Sequence, residues 1–570
     1  MLRLPWLILL ALMASCASPS SAPTAAAADT VITGARIWTG NPQQPWASAL
    51  AVRGEQIVAV GTDAEVMALS SSATKVLSLP GRLVLPGLHD GHVHPLGAGR
   101  QELGCPVQSL KTVDAVLEKI NSCAADSAER GGFVFGRGWS LALFAQANPH
   151  RSILDAVVAD RPAWFRGEDG HSGWANSKAL ELAGITAKTP NPEHGVIERD
   201  ADGSPSGTLR ESAMDLVEAL LPEPTLADDV VALTLAMKHL GENGITSIMD
   251  AGVDERRLQV YEALANKNAL SVRVVACIVV DPTTPQKAID EAKALRARFG
   301  AVSPLLKVDC TKIYLDGVLE GETAALLEPY HDHPEHKGGL NAKVEDLDAL
   351  VAGLQAEAFQ VHMHVIGDAA ARAALDAYER SHTSNGANDL RPTLAHLQLV
   401  DVADHARFKQ LGVVVNAQSY WAYPDTYITD INLPQVGQAR VDRMYPWGSL
   451  HRAGAVIVGG SDWPVTTVNP FFAIEVMRTR QDPELDASAV ATAPVLNADE
   501  ALDLDTALRA YTTAGAYLLH QEAQTGSLVV GRRADLVVVD QDFTGLPPQA
   551  ISDARPVLTM LNGRIVFSSL

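Results

Sequence analysis

The chain has 570 residues, 47% hydrophobic and 20% charged, which is enough apolar content to bury a large core and too much length for one small domain. Its formal net charge of −22 excludes a basic nucleic-acid surface and a polybasic membrane patch.

At the N-terminus, Arg3 precedes an apolar run at 4–13 that is too short to span a bilayer and gives way to Ala14-Ser15-Cys16. This pattern reads as an export signal. Leu12-Met13-Ala14-Ser15-Cys16 resembles a bacterial lipobox, with Cys16 as the lipidated first residue of the mature protein and its one membrane contact. A plain signal peptide cut near Ala28 is the alternative. Residues 18–28, rich in Ser, Pro and Ala, read as a flexible tether. Residues 1–28 are therefore set apart as signal and tether, and the protein is expected in the cell envelope, on the periplasmic side. An oxidising compartment permits a disulfide between Cys105 and Cys123, which flank a short helix-like stretch. Cys277 and Cys310 lie inside apolar strand-like runs and read as buried thiols.

Short strand-like segments follow at 30–38, 49–52, 56–61, 76–79 and 83–85, with counterparts at 526–531, 534–539 and 557–566. The expectation is a small β-sandwich built from both chain ends, 29–86 with 522–570. The middle, 87–521, alternates strand and helix. Strands are expected at 84–93, 245–250, 272–280, 307–315, 360–364, 393–396, 413–417 and 456–461, with amphipathic helices at 228–243, 344–357 and 369–380 among the connections. Eight buried strands alternating with helices predict an α/β fold, a (β/α)8 TIM barrel. The stretch from about 97 to 226 exceeds any ordinary βα connection and reads as an insertion over the barrel mouth.

Histidines and acids fall at the ends of those strands. His92 and His94 end the first, and their spacing of two puts both imidazoles on one face. His364 ends the fifth strand, His396 the sixth, and Asp462 follows the eighth. All C-terminal strand ends share one face of a parallel barrel, where active sites are built. The set suits zinc or a similar divalent ion, with iron, manganese and nickel as alternatives. His362 shares the face of His364 and reads as a supporting or structural histidine. Trp139 reads as a core residue in preference to a pocket wall.

Pro86-Gly87-Leu88-His89-Asp90-Gly91-His92-Val93-His94-Pro95 resembles the first-strand motif of the amidohydrolase superfamily. Agreement with the subgroup of N-substituted formamide deformylase-like enzymes runs through Lys312-Ile313-Tyr314-Leu315-Asp316-Gly317, His362-Met363-His364-Val365-Ile366-Gly367-Asp368, His396-Leu397-Gln398 and Ser461-Asp462-Trp463-Pro464. The resemblance implies that Lys312 is carboxylated and bridges two metal ions. A lysine that makes a salt bridge or binds a substrate carboxylate is the alternative. It also singles out His171, in the insertion, which either hydrogen-bonds the substrate or merely fixes the loop.

These readings lead to a metal-dependent hydrolase acting on a small molecule. The expected reaction is cleavage of a non-peptide carbon–nitrogen bond, in an N-substituted amide or formamide, by a metal-activated water with Asp462 moving the proton. Ester, lactone or carbamate hydrolysis and deamination are alternatives on the same site. An envelope binding or regulatory lipoprotein with a degenerate barrel is the non-enzyme alternative.

Overall fold

The computed structural model describes residues 27–108, 110–126, 132–168, 172–192, 195–222, 224–331, 333–486 and 488–570. The leader, Cys16 and His171 lie outside the described residues.

The centre of the molecule is a (β/α)8 barrel. Its strands are β1 (Leu88–Val93), β2 (Ile245–Val253), β3 (Arg273–Val279), β4 (Leu306–Tyr314), β5 (Gln360–Val365), β6 (Thr393–His396), β7 (Val414–Ala417) and β8 (Ile457–Gly459). They lie side by side in chain order, each pair parallel. Most of their residues are buried, as expected for parallel strands covered on both faces. Between β8 and β1 the seam is closed just beyond the last strand, where the Asp462 amide donates to the His92 carbonyl at 2.8 Å. That approach requires a glycine at 91, because a Cβ there would lie 2.5 Å from Asn416 Nδ2 and 2.8 Å from Val458 Cγ1.

The strand expected at 84–93 is two strands in two different sheets. Leu83–Pro86 pairs antiparallel with Leu536–Val539 and parallel with Arg36–Trp38, whereas β1 begins after Gly87 and joins the barrel. A Cβ at Gly87 would fall 2.3 Å from Thr246 Oγ1, so the chain changes sheets where only glycine fits. Strands from both ends of the chain meet in one sheet (Arg36–Trp38, Trp46–Ala47, Leu83–Pro86, Leu536–Val539, Pro556–Leu561 and Arg564–Ser568). A four-stranded sheet from residues 30–78 lies beside it. Ile32, Leu50, Ile57, Val84, Leu536, Val538 and Met560 form their shared core. Residues 526–531 form no strand; the segment is a loop whose Leu528 amide donates to the Thr39 carbonyl.

The segment between β1 and β2 leaves the barrel at the end that carries His92 and His94. It builds its own six-stranded mixed sheet from strands between Cys105 and Glu211. Trp139 is fully buried in that sheet's core and donates from Nε1 to the Phe165 carbonyl at 2.8 Å. Cys105 and Cys123 are joined in a disulfide, with Cα atoms 5.7 Å apart. Cys277 and Cys310 are also joined, and this corrects their reading as free thiols. Their strands, β3 and β4, are adjacent and in register at these residues, so two side chains that each look like core filling face one another.

Candidate metal centre

The C-terminal ends of β1, β4, β5 and β6 and the turn after β8 bring His92, His94, Lys312, His364, His396 and Asp462 together. Asp462 Oδ1 lies 3.1 Å from His94 Nε2 and 3.4 Å from His92 Nε2. One donor atom from each of these three residues fits within 4.8 Å. Lys312 Nζ lies 3.5 Å from His92 Nε2. The ring centroids of His92 and His396 are 4.9 Å apart, and those of His364 and His396 are 4.5 Å apart.

Backbone geometry aims two of these groups. His396 and Asp462 have φ of +74° and +55°, in the left-handed region that costs a non-glycine residue on the order of 1 kcal/mol or more. Each is held there by its surroundings. The His396 amide donates to Gln418 Oε1 at 2.8 Å, and Gln418 in turn donates to Asn416 at 2.6 Å. His396 is also stacked on Trp421, with centroids 5.2 Å apart and planes 8° from parallel.

Hydrogen bonds on the far side of the rings select tautomers. His364 Nε2 donates to the Gly317 carbonyl at 2.9 Å, which leaves the lone pair on Nδ1. His92 Nδ1 lies 2.9 Å from His362 Nε2, so a His92 that presents the Nε2 lone pair to the centre donates its Nδ1 proton to His362. His362 is thus the neighbour that orients His92.

The electrostatics favour ligand-competent forms. Burial, reinforced by Lys312, pushes His92 and His362 well below the usual imidazole range and His364 down to about 4. Burial followed by the charges of His364 and His92 does the same to His396. Burial pushes Asp462 up, but the His94 hydrogen bond and the charges of His396, His94 and Lys312 outweigh it and hold the carboxylate ionised. Burial lowers Lys312 to about 7, against a small opposing pull from Asp462. Lys312 is fully buried, and no carboxylate among the described residues is within salt-bridge distance of it. That speaks against its alternative role as half of an ion pair.

A divalent cation fits this donor set. Neutral imidazoles and a carboxylate converge, and His396 Nδ1 is buried with no hydrogen-bond partner among the described residues.

Two supporting acids escaped the sequence reading. Asp90 accepts from the amides of His92 and Ser461 at 3.1 and 3.0 Å and from Ser461 Oγ at 2.6 Å. Its spacing of two from His92 was the available signal. Asp316 accepts from the amides of Ala325, Ile366 and Gly367 at 2.9–3.0 Å and thereby braces the loops beside His364. Burial raises Asp90 to about 6 and Asp316 to about 7, against the pull of those donors.

Comparison with known proteins agrees with the class that this centre suggests. The amidohydrolase family matches residues 75–567, and the chain belongs to that family of metal-dependent hydrolases. The N-substituted formamide deformylase of Arthrobacter pascens is 27% identical to it over 94% of this chain and 97% of that protein. The putative amidohydrolase YtcJ of Bacillus subtilis (strain 168) is 28% identical over 87% of this chain and 91% of that one. An uncharacterized metal-dependent hydrolase from Pyrococcus horikoshii OT3 has the same fold, with a TM-score of 0.71 at 23% identity, over 91% of this chain and 99% of that one.

Proposed function

We propose that the protein hydrolyses a non-peptide carbon–nitrogen bond, in an N-substituted amide or formamide, with two divalent ions at this centre. The observation that carries the reading is Asp462, an ionised carboxylate within 3.1–3.4 Å of both imidazoles of the first-strand pair. The choice of bond is supported by the likeness to N-substituted formamide deformylase, which spans nearly the whole of both chains.

In this reading His92, His94 and Asp462 would hold one ion, and His364 and His396 the other. A carboxylated Lys312 would join the two. Zinc is the ion these ligands suit best. Bound there, it would supply a water of lowered pKa and a Lewis acid for the substrate carbonyl.

The residues of the chain do the rest. Asp462 accepts the proton of the attacking water and later delivers it to the leaving nitrogen. His362 and Gly317 keep His92 and His364 in fixed tautomers, so their donor atoms do not rearrange during turnover. The surrounding burial keeps these imidazoles neutral and bulk water away. His171 is assigned a contact to the substrate.

The protein is further proposed to be exported and anchored at Cys16. Two disulfides, which persist in oxidising compartments, support export.

The test is a screen of the purified, zinc-loaded mature chain against N-formyl and N-acyl amines, esters and lactones. Turnover of N-formyl or N-acyl amines above the others is expected. Activity confined to esters or lactones would overturn the choice of bond and leave the class intact.

A further inference from the structure

Tyr314 is the last residue of β4, two beyond Lys312 and therefore on the same face. Its ring lies 4.9 Å from Lys312 Nζ, and its centroid is 6.0 Å from that of His364. The residues around it are buried, yet Tyr314 is 42% exposed, so it forms part of the wall that a ligand meets. Its hydroxyl reaches toward Gly252 at the end of β2. A Cβ on Gly252 would touch Tyr314 Oη at 3.4 Å on one side and His94 Nδ1 and Cε1 at 3.4 Å on the other. The absence of a side chain at 252 leaves a methyl-sized gap between the phenol and the imidazole. No hydrogen bond joins the Tyr314 hydroxyl to any described residue, although its carbonyl accepts one from Asn341.

A phenol beside a hydrolytic centre, free of protein partners and facing space bordered by a ligand histidine, is placed to donate to an oxygen that arrives with the substrate. We infer that Tyr314 is a catalytic residue that hydrogen-bonds the substrate's carbonyl oxygen as that oxygen becomes negatively charged. The inference rests on the hydrolytic reading of the site but not on which bond is cleaved. In the addition step, water's oxygen forms a bond to the carbonyl carbon, the π pair moves onto the carbonyl oxygen, and a proton passes to Asp462. Tyr314 donates a hydrogen bond to that oxygen and keeps its own proton. On collapse the C=O bond re-forms, the bond to the leaving group breaks, and the proton on Asp462 goes to the leaving atom. Donation requires a protonated phenol. A phenol is protonated at neutral pH, so Tyr314 is a donor there.

The test compares wild type with Tyr314→Phe, which keeps the ring and removes the donor. One arm measures turnover of N-formylbenzylamine and 4-nitrophenyl acetate. The other measures binding of methylphosphonate, a tetrahedral anion, to the zinc-loaded proteins by calorimetry. Zinc content is determined for both. The expected result is a fall in kcat of about 10²-fold with KM little changed, since loss of one oxyanion donor acts on the transition state. Methylphosphonate affinity is expected to fall about tenfold, with the zinc content unaltered. Equal turnover and equal methylphosphonate affinity would overturn the inference. So would a loss that tracks loss of zinc, because Tyr314 would then be packing over Lys312. A wild type that cleaves only the ester refutes the carbon–nitrogen reading alone, and Tyr314 is then judged on the ester and the anion. Failure of the wild type to bind methylphosphonate or to cleave either substrate overturns the inference as well.

Discussion

Asp90 and Ser461 are 371 residues apart in sequence and close the barrel together: Ser461 donates to the Asp90 carboxylate from both its hydroxyl, at 2.6 Å, and its amide, at 3.0 Å. The same carboxylate takes the amide of His92. One buried acid thus fixes His92 on β1 relative to Asp462, the residue after Ser461. Asp90→Ala leaves three donors without this partner, at roughly 1–3 kcal/mol for each that stays unsatisfied. Chemical denaturation is expected to show a loss of several kcal/mol, with reduced metal retention. Asp90→Asn preserves an acceptor for the amides and is expected to lose much less. Equal stability of Asp90→Ala and wild type would remove Asp90 from this role.

Asp462→Asn tests the proton-transfer role. The amide is nearly the same size, so circular dichroism and thermal melting are expected to match wild type closely. Turnover is expected to fall by at least about 10³-fold. Wild-type turnover in the pure variant would assign the proton transfer elsewhere.

Lys312 makes a separate prediction. Burial draws its amine down to about 7, so at neutral pH a large share is unprotonated and able to attack carbon dioxide. Apoprotein reloaded with metal is expected to regain more activity with bicarbonate present than in its absence. Lys312→Ala is expected to lose most activity and to recover part of it with acetate or propionate, which place a carboxylate in the vacated space. Full activity of Lys312→Ala without any added acid would refute a bridging carbamate.

The Cys277–Cys310 bridge staples β3 to β4 on the same strand as Lys312, two residues away. Alkylation of the unfolded, unreduced protein is expected to label neither cysteine. Replacing both by serine is expected to cost roughly 4 kcal/mol in chemical denaturation, the usual scale for closing a loop of this length. Quantitative labelling before reduction would show that the bridge does not form.

Glu475 predicts a pH dependence away from the metal centre. It is 2% exposed, and Ser552 donates its amide to Oε2 at 2.9 Å. Burial, aided by the charges of Asp553 and Asp482 and opposed by Ser552, raises its pKa from 4.5 to about 7. The folded state therefore holds this proton more tightly than the unfolded state. The group's stabilising contribution is complete below pH 4.5 and is lost as the pH rises through about 7, at no more than about 1.4 kcal/mol per pH unit. Glu475→Gln removes that titration and keeps the acceptor. Its Tm relative to wild type is expected to increase between about pH 5 and about pH 8. A constant difference across that range would contradict the assignment.

The gathering of these side chains at one face was legible because its signal is local and repeated. Histidines at β1, β5 and β6 and an acid after β8 all stand at strand ends, and parallel topology brings those ends together. What stayed hidden depends on register or on contacts between distant segments. The Cys277–Cys310 bridge follows from β3 and β4 being aligned at those residues, which periodicity does not report. The strand expected at 84–93 ran across Pro86-Gly87, and the neighbouring Thr246 explains why the chain changes sheets there. The seam between Asp90 and Ser461 joins the first and last strands, a contact that no local pattern encodes. The spacing of His362 put it on the face of His364 and one turn of the pleat deeper, where its Nε2 lies 2.9 Å from His92 Nδ1.

The most direct measurement of the whole account is elemental analysis of the purified mature chain, repeated after chelation and reconstitution, with hydrolysis assayed at each stage. Two divalent ions per chain are expected, with activity lost on chelation and restored when the ions return. A chain that carries no divalent ion, takes up none on reconstitution and hydrolyses nothing would contradict it.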